Sequence, residues 1–518
     1  MATYRISISV PVLAVLVVTL GSTIYYFGFA EFISAQISLG VLTSILIVYL
    51  ILENIRLYFY DNRRFLMNPA FLCSVMTLGL YYGINNVLYY LPPNMSASVG
   101  AKSIVTLGMV KLELMAIISA AGMWIGYWSK TSKRIIDSNY CQKRVKQYFT
   151  YDADLKIGIF YFIVGIGFVS RILQIKMGIY GYSSGVAAFL QAAKYRQYFV
   201  LADYFSKISL IVIALQYYAK PPTASTKFWF YFLIVVEVFL GGFLTGFKKM
   251  VILPFIIVML IQYARIGRVN LIWIVFIVIG IQVAYPVIEQ FRAIRNSMED
   301  SFPSSSFIDI TQIMFFPTDE QKSKASYDEE EDSQTPTYLK VMARTSMVQI
   351  GALGVDYYDQ YNGNMPAGSP EVVKEILLSP LYSWIPRFIW SGKTIQSIGL
   401  WYTQVVMKLK YSFSSTAMGF ITYLYMGGGM LIVFLGFIVI GGLQRITREI
   451  FQPWKTSAGA LLSMTTVVMV ASIAEYNMDA LVVLLVRMIP IIMWLQSVLY
   501  DHRKAHIKFR EENKQNAK

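Results

Sequence analysis

The sequence predicts an all-α polytopic membrane protein of about twelve transmembrane helices, with one large external loop late in the chain. Three observations carry that class. Apolar runs of about twenty residues recur from end to end, the length a helix needs to cross about 30 Å of hydrocarbon. Hydrophobic residues make up 56% of the 518-residue chain and charged ones only 14%, where a soluble protein carries about a quarter charged. The runs are continuous and do not alternate with a period of two, which excludes an outer-membrane barrel.

The runs centre on residues 8–28, 36–54, 69–91, 104–128, 157–176, 199–219, 227–246, 250–264, 270–290, 413–441, 457–474 and 479–499. The sixth is interrupted by Asp203 and Lys207, and the eighth is short. The first has no small-residue cleavage site and is followed by eleven more, so it reads as an anchor and not as a secretory leader. Basic residues set the orientation. Alternate loops carry Arg56, Arg63 and Arg64, then Lys130 to Lys146, then Lys220 and Lys227, then Arg265 and Arg268, then Arg445, Arg448 and Lys455. The opposite short loops carry almost none. Both termini are therefore expected on the cytoplasmic side, the C-terminal one as a basic tail over 500–518.

This divides the chain into nine spans over 1–290, an external loop over 291–412 and three spans over 413–499. The stretch from Ser301 to Thr337 is rich in Ser and Pro and holds the acidic run Asp328–Asp332; it reads as a solvated excursion and not as a metal site. Residues 340–360 place Val341, Met347, Ile350 and Leu353 near one helical face. Ser369-Pro370-Glu371 supplies an N-cap, a first-turn proline and an acid for another helix. A long loop with its own amphipathic helices is expected to be an active-site lid.

Several chemistries are excluded by what is missing. The histidines are His502 and His506, both in the tail, so none serves in the membrane or on its far side. Cys73 lies in an apolar run and Cys141 in a basic loop, which leaves no disulfide framework, zinc knuckle or iron–sulfur site. No Walker A sequence is present. The net charge of +15 is accounted for by topology signals, so nucleic acid is not an expected partner. No metal and no cofactor are expected.

Charges at membrane depth are costly and therefore informative. Lys248 and Lys249 follow the glycine-rich stretch 241–247 and face outside by alternation, against the positive-inside trend. One reading is a pair of snorkelling lysines; the other is an anion site. Arg292 and Arg295 leave the ninth span on the same side, three positions apart and hence helical neighbours. Arg344, Arg387 and Lys393 follow in the same segment. Cations converging where topology does not call for them point to a phosphate-bearing ligand. The acids near that side are Glu289, Asp356, Asp359, Glu475 and Asp479. Without histidine a carboxylate is the natural general base, with Asp356 and Glu475 the candidates. Glu113, Asp203 and Glu237 lie in or near spans and read as structural pairs, although a proton-coupled carrier would use such residues.

Three stretches together resemble the bacterial polysaccharide repeat-unit polymerases, the Wzy-type O-antigen polymerase family. Residues 241–249 (GGFLTGFKK) are similar to that family's Gly-Ser-Arg turn, with Lys248 where an arginine is usual. Residues 380–393 (PLYSWIPRFIWSGK) look like its Pro-Arg-x-x-Trp-Pro-x-Lys segment, with Ser391 and Gly392 departing from the pattern. Residues 412–429 (SFSSTAMGFITYLYMGGG) resemble its Ser/Thr-rich start of the next span. The resemblance covers residues 240–440 and the overall topology. It implies a GT-C-like glycosyltransferase of the plasma (inner) membrane, which the lack of an outer-face histidine leads us to expect to be metal-independent. Such an enzyme joins undecaprenyl-pyrophosphate-linked oligosaccharides at the outer face into O-antigen, capsule or exopolysaccharide. Membrane lipid and a chain-length regulator protein are the implied partners. An O-antigen-type ligase would use the same parts. The rival class is a transporter, either a lipid-linked glycan flippase or another twelve-helix carrier.

Overall fold

The computed structural model describes residues 35–60, 68–90, 106–141, 154–183, 196–219, 221–298, 302–303, 306–321, 337–385, 398–409, 416–473 and 478–501. Among these residues the chain is helical and contains no β-strand. The first expected span, the acidic run, Arg387, Lys393 and Glu475 lie outside the described residues.

Helix α1 (Ala35–Tyr60) covers the second expected span. The third is helical but irregular. An α-turn at Pro69–Cys73, capped by the Asn68 side chain, passes into a π-helix at Ser74–Leu80 and then a 3-10 stretch at Ile84–Tyr90. Next come α2 (Leu107–Trp128), α3 (Ile157–Lys176), α4 (Arg196–Ala219) and α5 (Ala224–Val236). Asp203 and Lys207 do not break α4, because the backbone ladder is indifferent to side chains that find polar neighbours. Helix α5 runs on as a π-helix at Glu237–Phe243 before α6 (Lys248–Ile266) and α7 (Leu271–Met298). The eighth span is thus 19 residues long and not short, since both lysines are helical and belong to its first turn.

The hydrophilic segment contributes α8 (Phe307–Phe315), α9 (Thr337–Thr345), α10 (Val348–Gln360) and α11 (Val372–Trp384). Residues 340–360 are therefore two helices and not one. The chain breaks at Ser346–Met347, where the Met347 amide donates to the Tyr81 carbonyl at 3.0 Å. Helix α11 begins later than its sequence signals suggest: Glu371 holds the N-cap position and Ser369 and Pro370 precede the helix. The expected tenth span is split as well. Helix α12 (Phe420–Met426) ends at Gly427, and the spanning helix is α13 (Gly429–Phe451). Gly428 and Gly429 have φ of +152° and +70°, backbone that a side chain disfavours. Helices α14 (Ser457–Ile473) and α15 (Met478–Leu499) complete the order. Among the described residues seven helices are long and apolar enough to cross a membrane, over 38–59, 107–137, 157–176, 224–243, 248–266, 271–295 and 429–451. The protein is an all-α membrane protein.

The described residues fall into two compact units. One draws on 1–145, 338–450 and 466–490, the other on 146–337, 451–465 and 491–518. In the first, α2 is the central helix, with 78% of its spanning window buried. Tyr49 of α1 donates to its Ala120 carbonyl at 3.2 Å. Gly122 and Gly126 on α2 form a small-xxx-small face against α13: a Cβ on Gly126 would collide with the Ile438 carbonyl oxygen, and one on Gly441 with that of Met123. Backbones can approach this closely only where side chains are absent, and dispersion between them takes the place of hydrophobic drive in lipid. Helix α10 packs on α2 and α12 with Val348 and Val355 fully buried. It belongs to the core of this unit and is not a lid, because Gly351 and Gly354 let it settle against Leu112, Thr422 and Tyr402.

The second unit packs α3 on α4, α6 on α4 and α7, and α8 on α7. Its core gathers Phe243, Val251, Ile288, Phe291, Ile310 and Met314. A Cβ on Gly242 would lie only 2.8 Å from the Val251 Cα, so α6 rests directly against the π-helix.

Candidate functional site

The second unit builds a site around the turn between the π-helix and α6. Thr245 and Gly246 form that turn, and Gly246 has φ of +68°. Tyr182 donates its backbone amide to the Thr245 carbonyl at 2.8 Å. Gly181, with φ of +61°, is pressed so closely on Thr245 that no side chain fits. The turn is thereby held by backbone on one side and by an arginine on the other. Arg292 donates from Nε at 3.0 Å and from a terminal nitrogen at 2.7 Å to the Gly246 carbonyl oxygen. Its guanidinium carbon lies 4.7 Å from the Tyr182 ring centroid, a cation–π geometry.

Lys248 opens α6. Its ammonium pairs with Glu289 and sits 3.3 Å from the Tyr285 ring centroid. Tyr285, Glu289 and Arg292 are spaced four and three apart on α7 and so share one face. Arg295, one turn on, places its guanidinium 5.3 Å from the Phe302 ring. Lys249 is half-buried beside Lys248. The first turn of α6 holds no acid, and Phe247 offers no side-chain cap. Two lysines therefore add to the positive end of the helix dipole, which favours an anion there.

A buried polar network lies in the same unit. Arg171 of α3 reaches Glu237 at 2.8 and 2.9 Å, a two-point contact with both side chains about 3% exposed. Ser206 of α4 also donates to Glu237. Gln174 donates to Asp203 at 2.9 Å and to Ser170 at 3.2 Å. Gly241 makes room for the pair, because a Cβ there would sit 2.8 Å from Glu237 Oε2 and 3.2 Å from Arg171. Tyr180 donates to the Leu240 carbonyl at 2.6 Å. Burial raises its phenol above the ordinary value, so it remains a donor. The network ties α3 and α4 to the π-helix that leads into the turn.

The expected site residues are thus partly brought together. Lys248 and Arg292 share the turn, and Lys249 and Arg295 flank it on α6 and α7. Arg344 lies in α9 and Asp356 in α10, both in the first unit. Asp356 is exposed, with Oδ1 2.5 Å from where a Gly108 Cβ would stand. Asp359 is bound by Lys111 and by the Tyr425 hydroxyl, the latter at 2.7 Å. Glu237 is a structural pair as its sequence setting suggests, while Glu289 is the partner of Lys248. Sequence reasoning misses Arg171, Tyr182 and Tyr285. Arg171 carries a signal, a cation well inside the apolar run 157–176, whose other cation, Lys176, is its last residue. The two tyrosines carry none, being two among 37. Comparison with protein-family models, with curated proteins and with solved structures gives no match to this chain.

Proposed function

We propose that the chain is an integral-membrane glycosyltransferase, a twelve-span, GT-C-like polymerase of lipid-linked oligosaccharide repeat units. It would act at the outer face of a bacterial plasma membrane with undecaprenyl-pyrophosphate-linked donor and acceptor. The observation that carries this reading is the Gly246 turn, where Lys248 and Arg292 converge on one face with the uncapped start of α6. Such an arrangement suits a pyrophosphate at headgroup level. When the glycosyl bond breaks, negative charge grows on the leaving oxygen, and fixed cations stabilise it more in the transition state than before. Lys249, Arg295, Arg344, Arg387 and Lys393 are further candidates for contacts to phosphate or acidic sugar. Asp356 and Glu475 are the candidates for the base that takes the acceptor hydroxyl proton.

A second reading, a lipid-linked glycan flippase, is favoured by one observation. Arg171, Glu237, Asp203 and Lys207 put four charged side chains within helices α3, α4 and the π-helix, where a carrier would use them. Purified protein in liposomes with defined lipid-linked repeat units separates the two. Chain growth supports the polymerase; translocation of intact units without growth supports the flippase.

A further inference from the structure

Glu113 lies in the N-terminal half of α2 and is wholly buried. Its Oε1 accepts from the Asn86 amide nitrogen at 2.5 Å, while its Oε2 is buried with no hydrogen-bond partner. The surroundings are rich in oxygen. The same Asn86 nitrogen also donates to Thr43 Oγ1 at 2.7 Å and to the Tyr82 carbonyl at 2.9 Å. Three oxygens therefore crowd an atom that carries two hydrogens. The Asn86 Oδ1 is buried without a partner as well, and the buried Tyr82 hydroxyl faces the Ile421 backbone. Interiors leave few polar atoms unbonded, and here two lie on residues in direct contact.

The charged groups on the surrounding elements are engaged elsewhere. On α2 itself, Lys111 pairs with Asp359 of α10. On α1, Arg56 pairs with Glu53. On α10, Asp356 is exposed beside Gly108. On α12, Tyr425 serves Asp359, and Tyr423 donates to Glu375 of α11 at 3.3 Å. On α13, Arg448 pairs with Glu449 and Arg445 donates to the Tyr127 carbonyl. Among the described residues no ion pair reaches Glu113. A carboxylate in an apolar interior, supported by the Asn86 amide and the Thr43 hydroxyl but by no cation, does not hold a bare charge.

We propose that Glu113 is the anionic ligand of a small-cation site that takes a proton or a sodium ion. Glu113 Oε2, Asn86 Oδ1 and the Tyr82 and Thr43 hydroxyls are hard oxygen donors, the set such a cation prefers. Occupancy has a direct path to the segments that enter this unit late in the chain. The Tyr82 hydroxyl is 2.5 Å from where a Gly419 Cβ would stand, just before α12. The Tyr81 carbonyl accepts from Met347 at the start of α10. The site stands independently of the glycosyltransferase reading, because its test uses no glycan.

The test is site-resolved labelling of the full-length protein by a lipophilic carbodiimide, which adds to a protonated carboxyl. It is read by mass spectrometry in choline and in sodium buffers across mildly acid to mildly alkaline pH. A sodium site predicts labelling of Glu113 in choline and about tenfold protection by saturating sodium. A proton site predicts labelling that falls about tenfold per pH unit above its midpoint and ignores sodium. The second measurement is thermal melting of wild type and Glu113→Gln, the neutral isostere. Wild type should gain about 2–4 °C on filling the site, and the variant should not respond. Either cation-dependent labelling at Glu113 or a response lost in Glu113→Gln supports the site. If Glu113 stays unlabelled or labels regardless of pH and sodium, and the two proteins melt alike under every condition, the proposal is overturned.

Discussion

Arg292 of α7 donates two hydrogen bonds to the backbone carbonyl of Gly246, the residue that turns the chain into α6. One cation therefore fixes the shape of the turn and also places its charge beside Lys248. A lysine in its place has no planar fork and could offer that oxygen only a point charge. Arg292→Ala and Arg292→Lys are both expected to lose about 10²–10³ in polymerisation rate, with membrane insertion unchanged. The measurement is initial rate of chain growth against protein amount in the membrane.

Lys248 is predicted to be replaceable in one direction only. Lys248→Arg keeps a cation that can still meet Glu289 and a phosphate, so activity should survive. Lys248→Ala removes it and should abolish detectable polymer. Glu289→Gln gives the converse test: without the competing carboxylate, Lys248 is released to the ligand. That variant should raise kcat with the lipid pyrophosphate, the direction expected of a cation that acts in the transition state. A lowered kcat would mean that Glu289 positions Lys248 and does not compete for it.

The Arg171–Glu237 pair is expected to matter through imbalance more than through attraction. Removing either partner strands a buried charge, which costs about 3–5 kcal/mol, whereas replacing both with apolar residues of similar size is often neutral. Arg171→Met and Glu237→Leu should each lower the melting temperature in detergent, and the double variant should recover most of the loss. Additive losses would show that the two side chains act separately.

Much of this architecture is legible in the amino-acid sequence. The apolar runs locate α2, α3 and α6 and the starts of α1 and α7 to within a few residues, because length and hydropathy are local properties. The Lys248–Arg292 convergence is legible too, since both cations stand at ends of neighbouring apolar runs. What stays hidden depends on tertiary contact. Gly427 to Gly429 lie inside one apolar stretch, so hydropathy runs α12 and α13 together, and only the backbone angles separate them. The break at Ser346–Met347 follows from a bond to Tyr81, far away in sequence. The burial of α10 follows from the fit of Gly351 and Gly354 against other helices. The glycines Gly122 and Gly126 form a G-x-x-x-G motif in an apolar run, a signal for the α2–α13 contact that hydropathy alone passes over.

That contact gives a test of the fold alone. Gly441→Ala puts a methyl group where the Met123 carbonyl already stands. The helices must separate, and overpacking of this kind costs about 1–3 kcal/mol. Gly165→Ala, with open space around it, should be silent. Thermal unfolding of the two variants beside wild type checks the pair; equal stability would mean that α2 and α13 do not meet there.

The central claim is that this chain transfers glycan from a lipid pyrophosphate whose leaving charge is met at the Gly246 turn. The most direct measurement is chain growth in liposomes holding the purified protein and one defined pyrophosphate-linked repeat unit, with wild type and Arg292→Ala side by side. The account predicts a ladder of lengthening glycan and release of the lipid pyrophosphate with wild type, and neither with the variant at equal incorporation. Units moved across the bilayer without growth, or an undiminished ladder from Arg292→Ala, would contradict it.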